Sequence, residues 1–427
     1  VSLDTGGRAR PVPAVSHRLL LLAAVVAGAL FCALFVFSPG FDNGFWRDDF
    51  VLLERAEAAR EHLPGLWQRW VEPFNRPLAQ AAFYLEYRAW GLDAGRYILT
   101  NTLLHVVNAA LLFWLFQGPL GPQVAAGAAL LFALGCGFYG KAVLWAANLP
   151  DLLATGFVLA TGIAARRAQL ARLAPQRAAW MGLAGILFAL ALASKESGIM
   201  ALVMVAGLMW PHRRSLGSVV RKIGMLVVIG GIYLTLQLLA GSGISVVLAE
   251  PGAWLSLPLR ALRLVTFMTL PVLDESPVAS AASPLALRII QLVDQVRPVL
   301  GLVLLGLGIL WFLRGSGAVR WLLASLAAFL LPFGFIHLPG DWLDIRYAYL
   351  PATCFCGLLA YGLRSLWLRS HRMVQALLVV VLLAGIYGDI VLVRRLEAKY
   401  DAFGRSEESE ARRLELQLKM RPQRPPS

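Results

Sequence analysis

Apolar runs long enough to cross a bilayer recur along almost the whole chain, and that recurrence leaves few folds open. A helix needs about 20 apolar residues to cross about 30 Å of hydrocarbon, and within such a helix every backbone N–H and C=O is satisfied internally. Windows of this kind fall at about 19–38, 98–117, 123–140, 143–164, 178–194, 198–211, 223–241, 298–313, 319–337, 347–363 and 374–393. The spacing predicts an all-α polytopic membrane protein, a bundle of about 11 transmembrane helices. Of 427 residues, 58% are hydrophobic and 15% charged, more apolar surface than a soluble core could hide. The first run follows Arg8, Arg10 and Arg18 without a small-residue cleavage site and is expected to remain as the first span.

The formal net charge is +14, yet the Arg residues sit in short clusters between apolar runs, a pattern of topology signals and anionic headgroup contacts rather than nucleic acid binding. Clusters at the N-terminus, at Arg166, Arg167, Arg172 and Arg177, at Arg213, Arg214, Arg221 and Lys222, at Arg314 and Arg320, and at Arg364, Arg369 and Arg372 all fall inside if the N-terminus is inside. Two large outer loops follow, about 39–97 and about 242–297. Within the second, the segment at about 254–273 is interrupted by Arg260 and Arg263 and reads as an interfacial or re-entrant helix. The scheme divides the chain into a membrane domain at about 1–395 and a charged tail at about 396–427 that falls outside. The four cysteines, Cys32, Cys136, Cys354 and Cys356, lie in apolar stretches without metal-ligand spacing and read as packing residues.

Adjacent carboxylates at a bilayer edge are costly without a function to keep them there, which makes Asp48 and Asp49, just beyond the first span, the leading candidates for chemistry. The topology brings further polar residues to the same side: Asn75, Arg76, Glu86, Asn101, His105, Lys141, Asn148, Asp151, Lys195, Glu196, His337, Asp341, Asp344, Arg346 and Tyr347. That one-sided gathering predicts an extracytoplasmic cavity holding both acids and bases. Each residue also has a structural reading. Asp49 fits a helix cap, His105 an interhelical hydrogen bond with nearby Asn residues, Lys195 a snorkelling helix end, and Arg346 an ion pair with Asp344.

The strings Phe45-Trp46-Arg47-Asp48-Asp49-Phe50, Asn75-Arg76-Pro77-Leu78, Asn101-Thr102-Leu103-Leu104-His105, Ser194-Lys195-Glu196-Ser197-Gly198 and Arg346-Tyr347-Ala348-Tyr349-Leu350-Pro351 occur in an order that resembles the GT-C superfamily of polyprenyl-phosphate-dependent glycosyltransferases. The likeness is to the membrane part of the transmembrane and TPR-repeat O-mannosyltransferases and their bacterial relatives. It covers most of about 40–200 and a patch near 346–351, and Arg47 stands where many relatives have a bare Trp-Asp-Asp.

The resemblance implies a GT-C-like bundle and an inverting glycosyltransferase that moves a sugar from a polyprenyl-phosphate carrier to an acceptor hydroxyl at the extracytoplasmic membrane face. Asp48 is then the catalytic base, because a hydroxyl attacks poorly until a carboxylate takes its proton. Arg346, with Tyr347 beside it, and Lys195 with Glu196 are the candidates for the departing phosphate, Arg76 a further phosphate contact, His105 a donor to sugar or phosphate, and Asp49 a partner for sugar hydroxyls. Asp49 could also orient a divalent metal, although no spacing demands one. The expected partners are the lipid-linked sugar donor, a lipid, glycan or protein hydroxyl acceptor, and membrane lipids. An Ala-, Leu- and Arg-rich chain with few Lys suggests a bacterial inner membrane with the site facing the periplasm. The alternative is a polytopic transporter or flippase for a lipid-linked or anionic substrate, which calls for charges at the midplane and access from both faces.

Overall fold

A computed structural model describes residues 15–64, 75–134, 140–209, 216–239, 251–269, 284–334 and 345–420, and every regular element among them is helical. α1 (Val15–Phe37) leads through a 3-10 turn at Ser38–Asp42 to two short helices, α2 (Asp48–Glu61) and α3 (Pro77–Trp90), before the chain returns in α4 (Ala94–Phe116). Then come α5 (Pro122–Leu134), α6 (Gly140–Leu144), α7 (Leu149–Leu170), α8 (Ala174–Ser194), α9 (Ala201–Met209) and α10 (Leu216–Leu239). The remainder is α11 (Pro251–Thr269), α12 (Pro284–Arg314), α13 (Gly317–Gly334), α14 (Tyr349–Arg369), α15 (Arg372–Gly404) and α16 (Glu407–Met420).

Each apolar window of the sequence overlaps one of these helices. Six segments among the described residues are long and apolar enough to cross a membrane: Leu19–Asp42, Ala94–Phe116, Ala146–Leu170, Ala174–Ser194, Gln295–Arg314 and Arg372–Gly404. Pro122–Leu134, Glu196–Met209, Ile223–Leu239 and Gly317–Pro332 are apolar but shorter. The chain is thus a multi-pass membrane protein. Its interior lies where α1, α4, α5, α7 and α14 meet, around Phe37, Phe113, Phe116, Phe132 and Tyr349, all fully buried. Small residues let the backbones approach there: a Cβ on Gly156 of α7 would come within 2.7 Å of Asn108 Oδ1 on α4. By contrast only 6% of the most apolar window within Arg372–Gly404 is buried, so Val380 and Leu383 of α15 face outward, where lipid would lie. α11 contains Pro258 and turns Leu264 and Met268 into the core beside α13.

Side-chain contacts distinguish the two ends of the bundle. At one, Arg166 donates to Leu115 O at 3.4 Å, Arg167 lies 5.7 Å from the Trp114 ring, and Arg364 donates to Gln123. These cations stand at the C-terminal ends of α4, α7 and α14, where the helix dipole favours positive charge. At the other end α1 finishes and α2, α7 and α14 begin. The tail belongs to this second end. α15 has 33 residues, about 50 Å of helix, longer than a bilayer core requires, and the expected boundary at residue 396 falls inside it. Arg394 donates to Phe35 O at the end of α1 (2.9 Å), and α16 buries Leu416 against the α2 cluster of Phe45, Phe50 and Leu53. Gly404, where α15 ends, meets Gly44 backbone to backbone: a Cβ on either would lie within 3.0 Å of the other's main chain.

Candidate active site

The loop before α2 is held in an uncommon conformation. Arg47 has φ 47°, the only positive φ at a non-glycine residue among those described, which costs on the order of 1–3 kcal/mol and persists only where the surroundings enforce it. Three contacts do so. Trp46 stacks on Phe403 of α15 (centroids 4.6 Å apart, 4° between planes), meets Tyr400 edge-on at 5.5 Å, and packs against Trp145 at 5.3 Å. The Arg47 guanidinium covers the Trp46 ring at 4.6 Å. Asp49, 2% exposed, closes the turn: Trp46 N–H donates to Oδ2 (2.9 Å) and Ala147 N–H to Oδ1 (2.7 Å). Burial pushes the Asp49 carboxyl up to about 8, against the pull of those two amides. With each oxygen accepting from a backbone amide, Asp49 ties the loop before α2 to the stretch after Trp145. Asp48, half-buried at the first position of α2, is turned roughly 100° from it around the helix.

The residues after Trp145 connect this loop to the distant cations. Ala147 holds Asp49, and the next residue, Asn148, accepts from Arg346 Nη1 at 3.2 Å. Asp151, in the first turn of α7, takes Lys195 Nζ on both carboxylate oxygens at 2.7 Å, a pair with side chains 4% and 9% exposed. Arg346 also donates to Tyr347 Oη (3.2 Å) and lies 4.9 Å from the Trp145 ring and 5.1 Å from that of Tyr347, while Lys195 Nζ is 5.4 Å from the Tyr347 ring. Lys141 lies over the other reach of Trp145, 5.2 Å from its centroid, and its carbonyl accepts from Asn148 Nδ2 at 2.9 Å. The stretch 145–151 therefore gathers the carboxylate loop, Arg346, Tyr347 and Lys195 at one end of the bundle.

The other expected residues take different places. Arg76 and Glu196 hold each other in a two-point pair, Nε to Oε2 at 3.0 Å and Nη2 to Oε1 at 3.1 Å, which ties the start of α3 to the end of α8. This commits the Arg76 fork to a carboxylate and makes the pair a brace of the site. His105 is fully buried, with Nδ1 2.9 Å from Tyr349 Oη and Nε2 3.4 Å from Ala133 O, and Asn108 donates to the same Tyr349 hydroxyl at 3.1 Å. These bonds join α4 to α14 in the core, in keeping with the interhelical reading of His105. Glu86 of α3 is 8% exposed, and burial pushes its carboxyl up to about 8 despite the opposing bond from Thr100. His337, Asp341 and Asp344 lie outside the described residues.

Trp145, Tyr400 and Phe403 escaped the sequence reading. Aromatic residues beside an apolar run read as membrane-interface anchors, and nothing local to 400–403 points back to residue 46 across the chain. The Lys141-to-Asp151 spacing carried the one available signal, since it packs three polar groups around Trp145.

The fold is shared with solved membrane oligosaccharyltransferases. It is similar over 91% of its length to the archaeal oligosaccharyltransferase AglB from Archaeoglobus fulgidus in complex with an inhibitory peptide and a dolichol-phosphate, with a TM-score of 0.55 and 14% identity, covering 56% of that chain. The Zn and sulfate complex of the Archaeoglobus fulgidus oligosaccharyltransferase matches with a TM-score of 0.54 and 15% identity over 89% of this chain and 53% of that one. Apo ArnT from Cupriavidus metallidurans aligns at a TM-score of 0.49 and 13% identity, over 95% and 76% of the two chains. At these identities the likeness is one of fold, and this chain spans just over half the length of the oligosaccharyltransferase. By sequence, no protein-family model and no curated protein matches.

Proposed function

We propose that the protein is an inverting glycosyltransferase that moves a sugar from a polyprenyl-phosphate carrier to an acceptor hydroxyl at the extracytoplasmic membrane face. One observation carries the reading: the stretch 145–151 joins the Asp48-Asp49 loop to Arg346 and Lys195, groups nearly 300 residues apart in sequence, on the end of the bundle away from the topogenic arginines. The shared fold with a protein solved with dolichol-phosphate supports a lipid phosphate as the carrier class.

In this scheme Asp48 takes the proton of the acceptor hydroxyl as its oxygen attacks the anomeric carbon. The bond from that carbon to the phosphate oxygen breaks on the opposite face, its electron pair leaves with the polyprenyl phosphate, and the anomeric centre inverts. Arg346, a planar fork braced by Asn148 and Tyr347, meets the charge that grows on the leaving phosphate. Lys195 shares its charge with Asp151 and fixes the floor beneath Tyr347. Asp49 and the Arg76–Glu196 pair hold the frame. Among the described residues no group of three or more His, Cys, Asp or Glu side chains is arranged to hold a metal, and a divalent ion, where present, would use donors from elsewhere. The Ala-, Leu- and Arg-rich, Lys-poor composition supports a bacterial inner membrane as the location, with the site toward the periplasm.

The transport alternative needs polar groups along a path between faces. Here the polar residues deepest in α4, His105 and Asn108, are buried and bonded to Tyr349, which favours transfer. The test is Asp48→Asn in nanodiscs with a polyprenyl-phosphate sugar and a membrane acceptor fraction. Transfer is expected to fall by about 10²–10⁴-fold with thermal stability unchanged, and full transfer by the variant excludes Asp48 as base.

A further inference from the structure

The tail and the loop after α1 enclose a second cavity of about 530 Å³ that the scheme above does not use. We propose that it is the acceptor pocket, and that its ligand is a polyhydroxylated, sugar-bearing molecule; the word acceptor rests on the transfer reading, while the ligand class rests on the lining. Its volume falls in the range of small-molecule sites. Asp42, Asp93 and Glu410 alternate around it with Arg405 and Arg413, so hydrogen-bond acceptors and donors face the space from both walls. Arg405 is paired with Asp401 at 2.7 Å, which reduces the positive charge available to a phosphate. Hydroxyl groups, each both donor and acceptor, suit such a lining better than an anion or an apolar group.

The wall formed by the loop after α1 mixes polar and aromatic groups. Asn43, 5% exposed, is part of it. Phe45 and Phe50 add ring surface on the same wall. They also bracket Asp48 in sequence, so a molecule held here lies against the loop that carries the base. The opposite wall is Gly404 to Arg413, pinned by the close backbone contact of Gly404 with Gly44. The tail thereby completes the pocket, which gives it a role beyond packing on α2.

The experiment is saturation-transfer NMR on the full chain in nanodiscs, with methyl hexopyranosides as soluble sugar, dodecyl glycosides as lipid-borne sugar and inorganic phosphate as the anionic control. Either glycoside should bind, and which of them does assigns a soluble or a membrane acceptor. Glu410→Ala and Arg413→Ala should each weaken that binding by about tenfold, the equivalent of one hydrogen bond to a charged group. Glycoside binding that neither variant weakens, or binding of phosphate alone, overturns the pocket. A wild-type chain that binds glycosides but transfers no sugar from a polyprenyl-phosphate donor to any acceptor defeats the transfer reading instead, and the sugar site stands.

Discussion

The two ends of the bundle handle positive charge in opposite ways. At the end with Arg166, Arg167, Arg177 and Arg364, guanidinium groups lie at or near the surface and donate to helix C-terminal carbonyls, as Arg177 does to Ala171 O at 3.2 Å, or rest on rings. At the other end two cations are withdrawn from solvent and meet carboxylates, Lys195 on Asp151 and Arg76 on Glu196, while Arg47 and Arg405 stay exposed. Exposed cations near helix ends contribute a few tenths of a kcal/mol each and orient the chain in the membrane. Withdrawn pairs are expensive to build and persist where something beyond topology requires them. The comparison separates address from site without reference to any relative.

It can be broken in order of expected effect. Asp48→Asn, with its loss of transfer at constant stability, probes the polar end most sharply. Lys195→Ala should come next: it strands Asp151 inside the protein at a cost of about 3–5 kcal/mol, read as a lowered unfolding midpoint in detergent, and Lys195→Met with Asp151→Leu should recover most of it. Arg346→Lys keeps the charge but loses the fork, and transfer should drop by about 10–100-fold with the midpoint unmoved. Glu86→Gln is a pH experiment. The Glu86 carboxyl rises from 4.5 to about 8 on folding, so the native state binds this proton more tightly than the unfolded chain does. Its stabilising contribution is therefore full below the ordinary carboxylate value and lost as pH rises toward about 8. The variant should match wild type near pH 4 and melt a few degrees higher near pH 9. At the opposite end, Arg177→Gln should change stability by less than about 0.5 kcal/mol and leave transfer alone. An Arg177 effect as large as that of Arg346 would erase the distinction between the ends.

Much of this architecture was readable because bilayer physics writes it in long strokes. Apolar length placed the helices, and Arg166, Arg167 and Arg364 share one end. Four of the five polar strings gathered at the other end because each sits at a helix start or finish, which is a one-dimensional property, whereas Asn101 to His105 lies inside α4. What stayed hidden depends on three-dimensional partners. Asp49 and His105 are as polar as Asp48 and Arg346, and only the amides of Trp46 and Ala147 and the hydroxyl of Tyr349 show which groups they bond. The contact of Phe403 with Trp46 joins residues more than 350 positions apart, and no periodicity encodes such a meeting.

The meeting of Gly44 and Gly404 carries a consequence for how such a chain can vary. Two main chains touch there with no gap for even a methyl group, so neither position can drift to another amino acid while its counterpart stays put. The crossing must be inherited intact, and its loss should mark lineages in which the terminal helix has left this end of the bundle.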